Sequence, residues 1–168
     1  MAAHPELETE RLRLRFWRES DVDPLLAFYR DPQSAAVYGV DIKRSDVWRR
    51  MALALGHWQL RGFGPWVLED KATNEIAGLG GLWFPDGWAD VEVGYGITPE
   101  FRGQGYAVEA ARCVRDYGYR QKGLKRLVSY IDPENKASLR VAEKLGAVRD
   151  GEFLLNDKPH LVYLHTHH

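Results

Sequence analysis

Residues 89–131 constrain the fold more tightly than any other stretch, because they read as a strand, a glycine turn, a helix and a second strand in unbroken succession. In ADVEVGYGI the side chains alternate, sending Ala89, Val91, Val93, Tyr95 and Ile97 to one face and Asp90, Glu92, Gly94 and Gly96 to the other. After the turn TPEFRGQG, the residues Tyr106, Ala107, Ala110, Ala111, Val114, Tyr117 and Gly118 recur at helical spacing, and Gly123 closes the helix before the strand RLVSYI. Strand, helix and strand in this order make a right-handed crossover between parallel neighbours.

The flanking segments add antiparallel pieces. Three strand-like runs, 66–69, 75–84 and 89–97, are joined by DKATN and PDGW, links short enough for a meander. RLRLRF at 11–16 has the period of a half-buried strand, and Ser20 and Asp21 offer caps to a helix through Leu25, Leu26 and Tyr29. Further helices are predicted over 45–60, ended by Gly62, Gly64 and Pro65, and over 135–145, stopped by Gly146; a hairpin follows from Val148. The expected fold is α/β (α+β): one domain over 1–168 with a mixed, mostly antiparallel sheet, one parallel junction and flanking helices. A chain of 168 residues buries one substantial core and leaves no room for a second.

Charge and composition exclude several function classes. Lysine plus arginine number 23 against 24 acids, so no chain-wide excess would hold nucleic acid or an anionic membrane. The opening has no secretory apolar core and the longest apolar run, AGLGGLWF, is too short to span a bilayer; a cytoplasmic protein is expected. Cys113, the single cysteine, falls at helical spacing with Tyr106, Ala110 and Tyr117 and reads as a small buried apolar residue rather than a nucleophile. His165, His167 and His168 read as a disordered or weakly paired end, with no designed metal site.

The glycine turn carries the first chemical signal. Free N–H groups and the helix dipole at a helix start attract phosphate, and glycine at 103 and 105 lets an anion approach the amides. An ordinary glycine turn fits the same letters. Neither the dinucleotide fingerprint nor the triphosphate loop matches, because Val108 stands where a small residue is needed and no glycine-lysine-serine or threonine occurs. Residues 99–126 hold seven basic residues and three acids, with Arg102 and Arg126 placed best for phosphate. Beside Glu92 the bare Gly94 and Gly96 predict a channel toward the turn. In DPENKASLRVAEKLG, Asn135 and Ser138 share a helix face; Asn135 also reads as a helix N-cap.

R-G-Q-G-Y-A, residues 102–107, resembles the arginine-or-glutamine, x, x, glycine, x, glycine-or-alanine motif of the GNAT superfamily of N-acetyltransferases. With TERLRLR, EVGYGI and NKASLRVAEKLGA in order, nearly the whole chain resembles the RimJ/RimL-like branch. The resemblance implies acetyl transfer from acetyl-CoA to an amine without a metal. It implies that the pyrophosphate lies on the amides of Arg102, Gly103, Gln104, Gly105, Tyr106 and Ala107, the pantetheine arm near Ile97 and Thr98, and the thiol end near Asn135 and Ser138. Many members carry a tyrosine in the last helix as acid for the leaving thiolate; here that position is Ala142.

The chemistry needs a neutral amine, an oxyanion donor and a route for the thiolate. An α-amine near 7.8 is partly neutral at physiological pH, whereas a lysine near 10.4 costs about 4 kcal/mol to deprotonate, so α-amines are the easier acceptors. Glu92 is the expected general base, directly or through a water, if burial raises its pKa. A main-chain N–H near Ile97 is the oxyanion donor by resemblance. Ser138 is the expected hydrogen-bond donor to the sulfur, with Tyr130 as substitute. Tyr38, Trp48, Trp83, Phe84 and Trp88 are candidates to line the acceptor pocket, although aromatic residues at such spacings are mostly core. The expected partner is a small-molecule amine or a peptide or protein N-terminus, and the sequence leaves a homodimer open. A non-catalytic acyl-CoA-binding sensor is the alternative reading, and a phosphate-binding structural domain a third.

Overall fold

The computed structural model describes residues 4–167. Two short strands, β1 (Leu7–Glu8) and β2 (Leu12–Arg15), lead into α1 (Val22–Arg30), α2 (Pro32–Tyr38) and α3 (Arg44–Arg61). The meander β3 (Pro65–Asp70), β4 (Ile76–Trp83) and β5 (Val91–Ile97) follows, then α4 (Tyr106–Asp116), β6 (Leu127–Ile131), α5 (Lys136–Lys144) and the hairpin β7 (Val148–Leu155) and β8 (Lys158–Leu164). The eight strands form one sheet in the order β1-β2-β3-β4-β5-β6-β8-β7, and every neighbouring pair is antiparallel except β5 with β6. The expected mixed sheet with one parallel junction is what the chain adopts.

Two elements escape the periodicity reading. Helix α2 is only two turns long and starts on Pro32, with Asp31 accepting from the Gln33 N–H at 3.1 Å; a proline at the first helical position looks like a breaker in sequence but costs nothing there. Strand β1 is two residues long. The long helix predicted up to Gly123 ends its α-helical part at Asp116 and widens into a π turn over Tyr117–Gln121, where Gly118 lies against Leu127 and Leu82.

The helices divide between the two faces. On one, α4 packs Ala110, Ala111 and Val114 against Leu12, Leu14, Leu68, Leu82, Val93 and Ile97. On the other, Leu25 and Phe28 of α1 and Val47 and Met51 of α3 cover Val67 and Leu79. Arg15 departs from the expected exposed register: it is buried and holds Asp21 through two bonds of 2.9 and 2.8 Å and Glu69 at 2.6 Å. A buried guanidinium persists only when carboxylates satisfy it, so this triad fixes the α1 entry to β2 and β3. Among the described residues no helix is long and apolar enough to cross a membrane.

Candidate active site

The parallel pair is short. β5 and β6 are in register only at Val91 with Leu127 and Glu92 with Val128, after which the strands part. The alternation of main-chain bonds shows which groups the parting exposes. The Thr98 N–H bonds to Ala77 on β4, whereas the Val93 carbonyl accepts from Ser129 on β6, so the peptide groups of Val93, Tyr95 and Ile97 point into the gap.

Two side chains close the apex where the ladder stops. The Ser129 hydroxyl donates to the Val93 carbonyl at 2.7 Å, and a Glu92 carboxylate oxygen accepts the Tyr130 N–H at 3.3 Å. Both replace bonds that a continuing parallel ladder would have made, which satisfies the backbone while the strands diverge. Burial pushes the Glu92 carboxyl up to about 7, against the opposing effects of the Tyr130 N–H and of the nearby Trp88 indole. That indole N–H is buried and makes no aligned hydrogen bond. Burial, and after it the Glu92 charge, raises the Tyr38 phenol.

Glu92 shares a face with Trp83, its cross-strand partner on β4. Trp83 stacks on His57 at 4.4 Å; His57 accepts the Phe84 N–H at Nε2, so Nδ1 carries the hydrogen and donates to the Phe63 carbonyl. Burial lowers the His57 pKa, in keeping with this neutral form. Of the five predicted lining aromatics, Tyr38, Trp83 and Trp88 lie by Glu92, Phe84 carries the Arg61 guanidinium, and Trp48 is largely exposed on α3.

The predicted bare channel is half occupied. A Cβ at Gly94 would meet nothing closer than 3.9 Å, but one at Gly96 would strike the Phe28 ring at 2.8 Å. Gly96 is therefore a seat for α1, and only the Gly94 end is open. Gly96→Ala is expected to lower stability by about 1–3 kcal/mol through forced displacement of Phe28, read as a fall in denaturation midpoint. An unchanged midpoint would show that Phe28 moves aside freely.

At the far end of β5 the turn runs through a 3-10 segment, Pro99–Phe101, into α4. Gly103 has φ +72° with open space where a Cβ would stand, and Gly105 has φ +84°. Such a cradle suits an anion: amides at a helix start, open space above Gly103, and the Arg11 guanidinium beside Gly105. Arg102 is used otherwise than as a phosphate ligand. Its N–H bonds to the Pro99 carbonyl at 3.3 Å and its guanidinium holds Asp31 at 2.8 Å and the Ile97 carbonyl at 3.0 Å, tying the turn to α2. Arg126 sits at the opposite end of the sheet beside Asp90 and Asp150.

The rest of the turn is held from both sides. Gln104 donates to the Glu100 carbonyl, Tyr106 to Asp70 at 2.8 Å, and Ala107 lies half-buried in the first turn of α4. Ile97 and Thr98 are buried, with the Thr98 hydroxyl donating to the Ala77 carbonyl at 3.3 Å. Sequence reasoning missed Arg11, which donates to Glu109 at 2.7 Å and to the Gln104 carbonyl at 2.9 Å and lies 4.0 Å above the Tyr106 ring. The TERLRLR run contained it, but nothing in sequence spacing joins residue 11 to residue 104.

Asn135 caps α5 by accepting the Ser138 N–H at 3.1 Å. Ser138 belongs to α5, on the sheet face that carries α4, whereas Glu92 leans toward the α1 face, so the two stand on opposite sides of the sheet. Tyr130, the substitute donor of the sequence reading, has its hydroxyl at the Asp90 N–H, which it accepts at 3.0 Å, and its ring packs by Phe153. Cys113 is half-buried against the core and burial pushes its thiol up to about 11, as an unreactive cysteine requires. His165 is buried and its N–H bonds to the Leu127 carbonyl, contrary to the loose tail expected; His167 packs on Tyr119, and His168 lies outside the described residues. A groove of about 740 Å³ runs along α4 from Gly105 of the turn, lined by Arg11, Glu109, Arg112 and Asp116 among others; no residue of the β5–β6 gap lines it.

Known proteins share this fold. The family model for the acetyltransferase (GNAT) domain matches residues 11–148. YkkB of Bacillus subtilis is 35% identical over 170 residues, covering 97% of this chain and 96% of its own. The crystal structure of an acetyltransferase from Agrobacterium tumefaciens superposes with a TM-score of 0.88 at 30% identity, over 99% of this chain and 97% of that one. The spermidine N(1)-acetyltransferase of Escherichia coli is 36% identical over 58 residues, 34% of this chain and 31% of its own. A sheet that parts between its two parallel strands, beside a glycine turn opening a helix, is thus accompanied by similarity along the whole length, and the chain belongs to the GNAT family of acetyltransferases.

Proposed function

We propose that the chain moves the acetyl group of acetyl-CoA onto a primary amine by direct attack in a ternary complex, and that the acceptor is an α-amine of a peptide or protein N-terminus or of a small metabolite, as in the RimJ/RimL-like branch. The observation that carries the reading is the parting of β5 from β6 just after Glu92 and Val128, with a carboxyl of raised pKa at the apex and the glycine turn at the open end. The amides of residues 103–107 would hold the diphosphate, while Arg102 keeps the turn in shape from behind. The pantetheine arm fits the gap beside Ile97 and Thr98, where main-chain groups of Tyr95 and Ile97 face it. Asn135 and Ser138 border its thiol end.

The chain's groups then divide the work. Glu92 takes the proton lost by the attacking nitrogen, directly or through one water. The Ile97 N–H is the donor nearest to hand for the oxygen of the tetrahedral intermediate. The acceptor class follows from acidity: a carboxylate titrating at about 7 is well matched to an α-amine near 7.8 and poorly to a lysine near 10.4.

Incubation with acetyl-CoA and a panel of peptides, metabolite amines and polyamines, followed by measurement of free CoA and acceptor mass, tests the reading. CoA release with peptide or metabolite α-amines supports it; release only with side-chain amines or polyamines overturns the acceptor class. Gly105→Val tests the cradle. A β-branched residue is strained at φ +84° and its Cβ would meet the Arg11 guanidinium at 3.4 Å, so CoA affinity should fall at least about tenfold by calorimetry. Undiminished affinity would refute the turn as the diphosphate site.

A further inference from the structure

We infer that Tyr95 is a catalytic residue of the acyl transfer, its phenol donating a hydrogen bond to the sulfur as the thioester breaks; this rests on the reading that acetyl-CoA occupies the β5–β6 gap. Tyr95 lies on β5 two residues beyond the last carbonyl that β6 satisfies, on the α5 side of the sheet. Its hydroxyl crosses to the first turn of α5 and donates to the Ser138 carbonyl at 3.4 Å. That distance is at the long limit for such a bond, so the donor exchanges it readily for a better acceptor.

The same phenol also senses Glu92. Burial pushes it up to about 12, with the Glu92 charge contributing in the same direction. The side chain therefore spans from β5, beyond the point where β6 parts, to the first turn of α5, which borders the thiol end in the proposed function. Among the neighbouring groups Ala142, one turn beyond Ser138, is buried and offers no donor, the Tyr130 hydroxyl faces Asp90 beside Phe153, and Asn135 is exposed; the half-buried Ser138 hydroxyl is the rival donor.

Acidity decides what kind of donor Tyr95 is. A thiol titrates near 8.5, so complete transfer of a proton from a phenol at about 12 is disfavoured on the order of a thousandfold. Tyr95 keeps its proton. The amine nitrogen bonds to the carbonyl carbon and gives its proton to Glu92; the C–S bond breaks with its electron pair on sulfur; the thiolate, stabilised by the phenol, leaves as the anion and takes a proton from solvent, to which Glu92 releases the one it accepted. Amine and thioester become amide and thiol.

The test follows the thiolate by its ultraviolet absorbance in the CoA complex as pH is varied, alongside steady-state kinetics of Tyr95→Phe. In the wild-type complex the bound thiol should titrate below free CoA. In Tyr95→Phe it should rise by about one unit while kcat falls roughly 10- to 100-fold, with KM for acetyl-CoA changed less than about twofold and the acid limb near pH 7 retained. A bound thiol in the wild type at or above the free value overturns the inference without recourse to the variant. So does a variant with wild-type kcat and an unmoved thiol titration. Failure of the wild type to bind CoA at all would instead sink the functional reading on which the inference rests.

Discussion

Glu92→Gln should lower turnover at pH 7.5 by at least about a hundredfold, the usual contribution of a positioned general base, while changing CoA affinity less than about twofold. The separation of the two effects follows from geometry. Glutamine keeps a carbonyl oxygen for the Tyr130 N–H, so the apex of the gap stays closed and the cradle at the other end of β5 is untouched. Only the proton acceptor is lost. The wild-type rate should fall below pH 7, as the carboxyl whose pKa burial has raised to about 7 takes up its proton, and the variant should lack that limb. A variant with an unaltered rate and an unaltered profile would remove Glu92 from the mechanism.

The second expectation concerns stability, and it arises because two buried groups titrate in opposite senses. Glu92 is raised from 4.5 to about 7, so the folded state holds its proton more tightly and stability falls as pH rises from 4.5 to 7. His165 is lowered from 6.5 to about 4, chiefly by burial and then by Arg115, so the unfolded state binds the proton first and stability falls as pH drops from 6.5 to 4. Each amounts to about 3 kcal/mol. Between pH 4.5 and 6.5 they oppose one another, and the wild type should show little net dependence from this pair. Glu92→Gln removes one arm. Its denaturation midpoint should then fall steadily from pH 6.5 to 4, and a midpoint as flat as the wild type's would show that His165 is not held neutral.

The His165 arm has a clear structural cause. Ser129 donates to the Val93 carbonyl, so the 2.8 Å contact between Ser129 Oγ and His165 Nε2 has the imidazole as donor. Nδ1 is then the bare lone pair, and it is buried without a partner. A proton added there would be a charge with no acceptor beside it, near Arg115. The Ser129 and His165 pair is thus both the brace that parts β5 from β6 and an acid-sensitive element of the fold.

Local periodicity determined a good deal. The alternation of ADVEVGYGI put Glu92, Gly94 and Gly96 on one face, the helical spacing after Gly105 gave α4, and the order of the two strands around it required a parallel pair; all are properties of residues within a few positions of each other, and the sheet has them. The cap at Asn135 and the inert character of Cys113 were legible for the same reason. What only the tertiary structure decided is which distant groups meet. Phe28 fills the surface above Gly96, Arg102 turns back to Asp31, Arg11 reaches Gln104, His165 braces Ser129, and Tyr95 bridges toward Ser138. Each joins segments far apart in the chain, and no spacing rule reports such a contact, because it is set by how helices and strands pack rather than by the repeat of either. The gap itself is of this kind: the sequence called for two parallel strands, and side-chain bonds from Glu92 and Ser129, replacing the ladder after two residue pairs, fixed where they part.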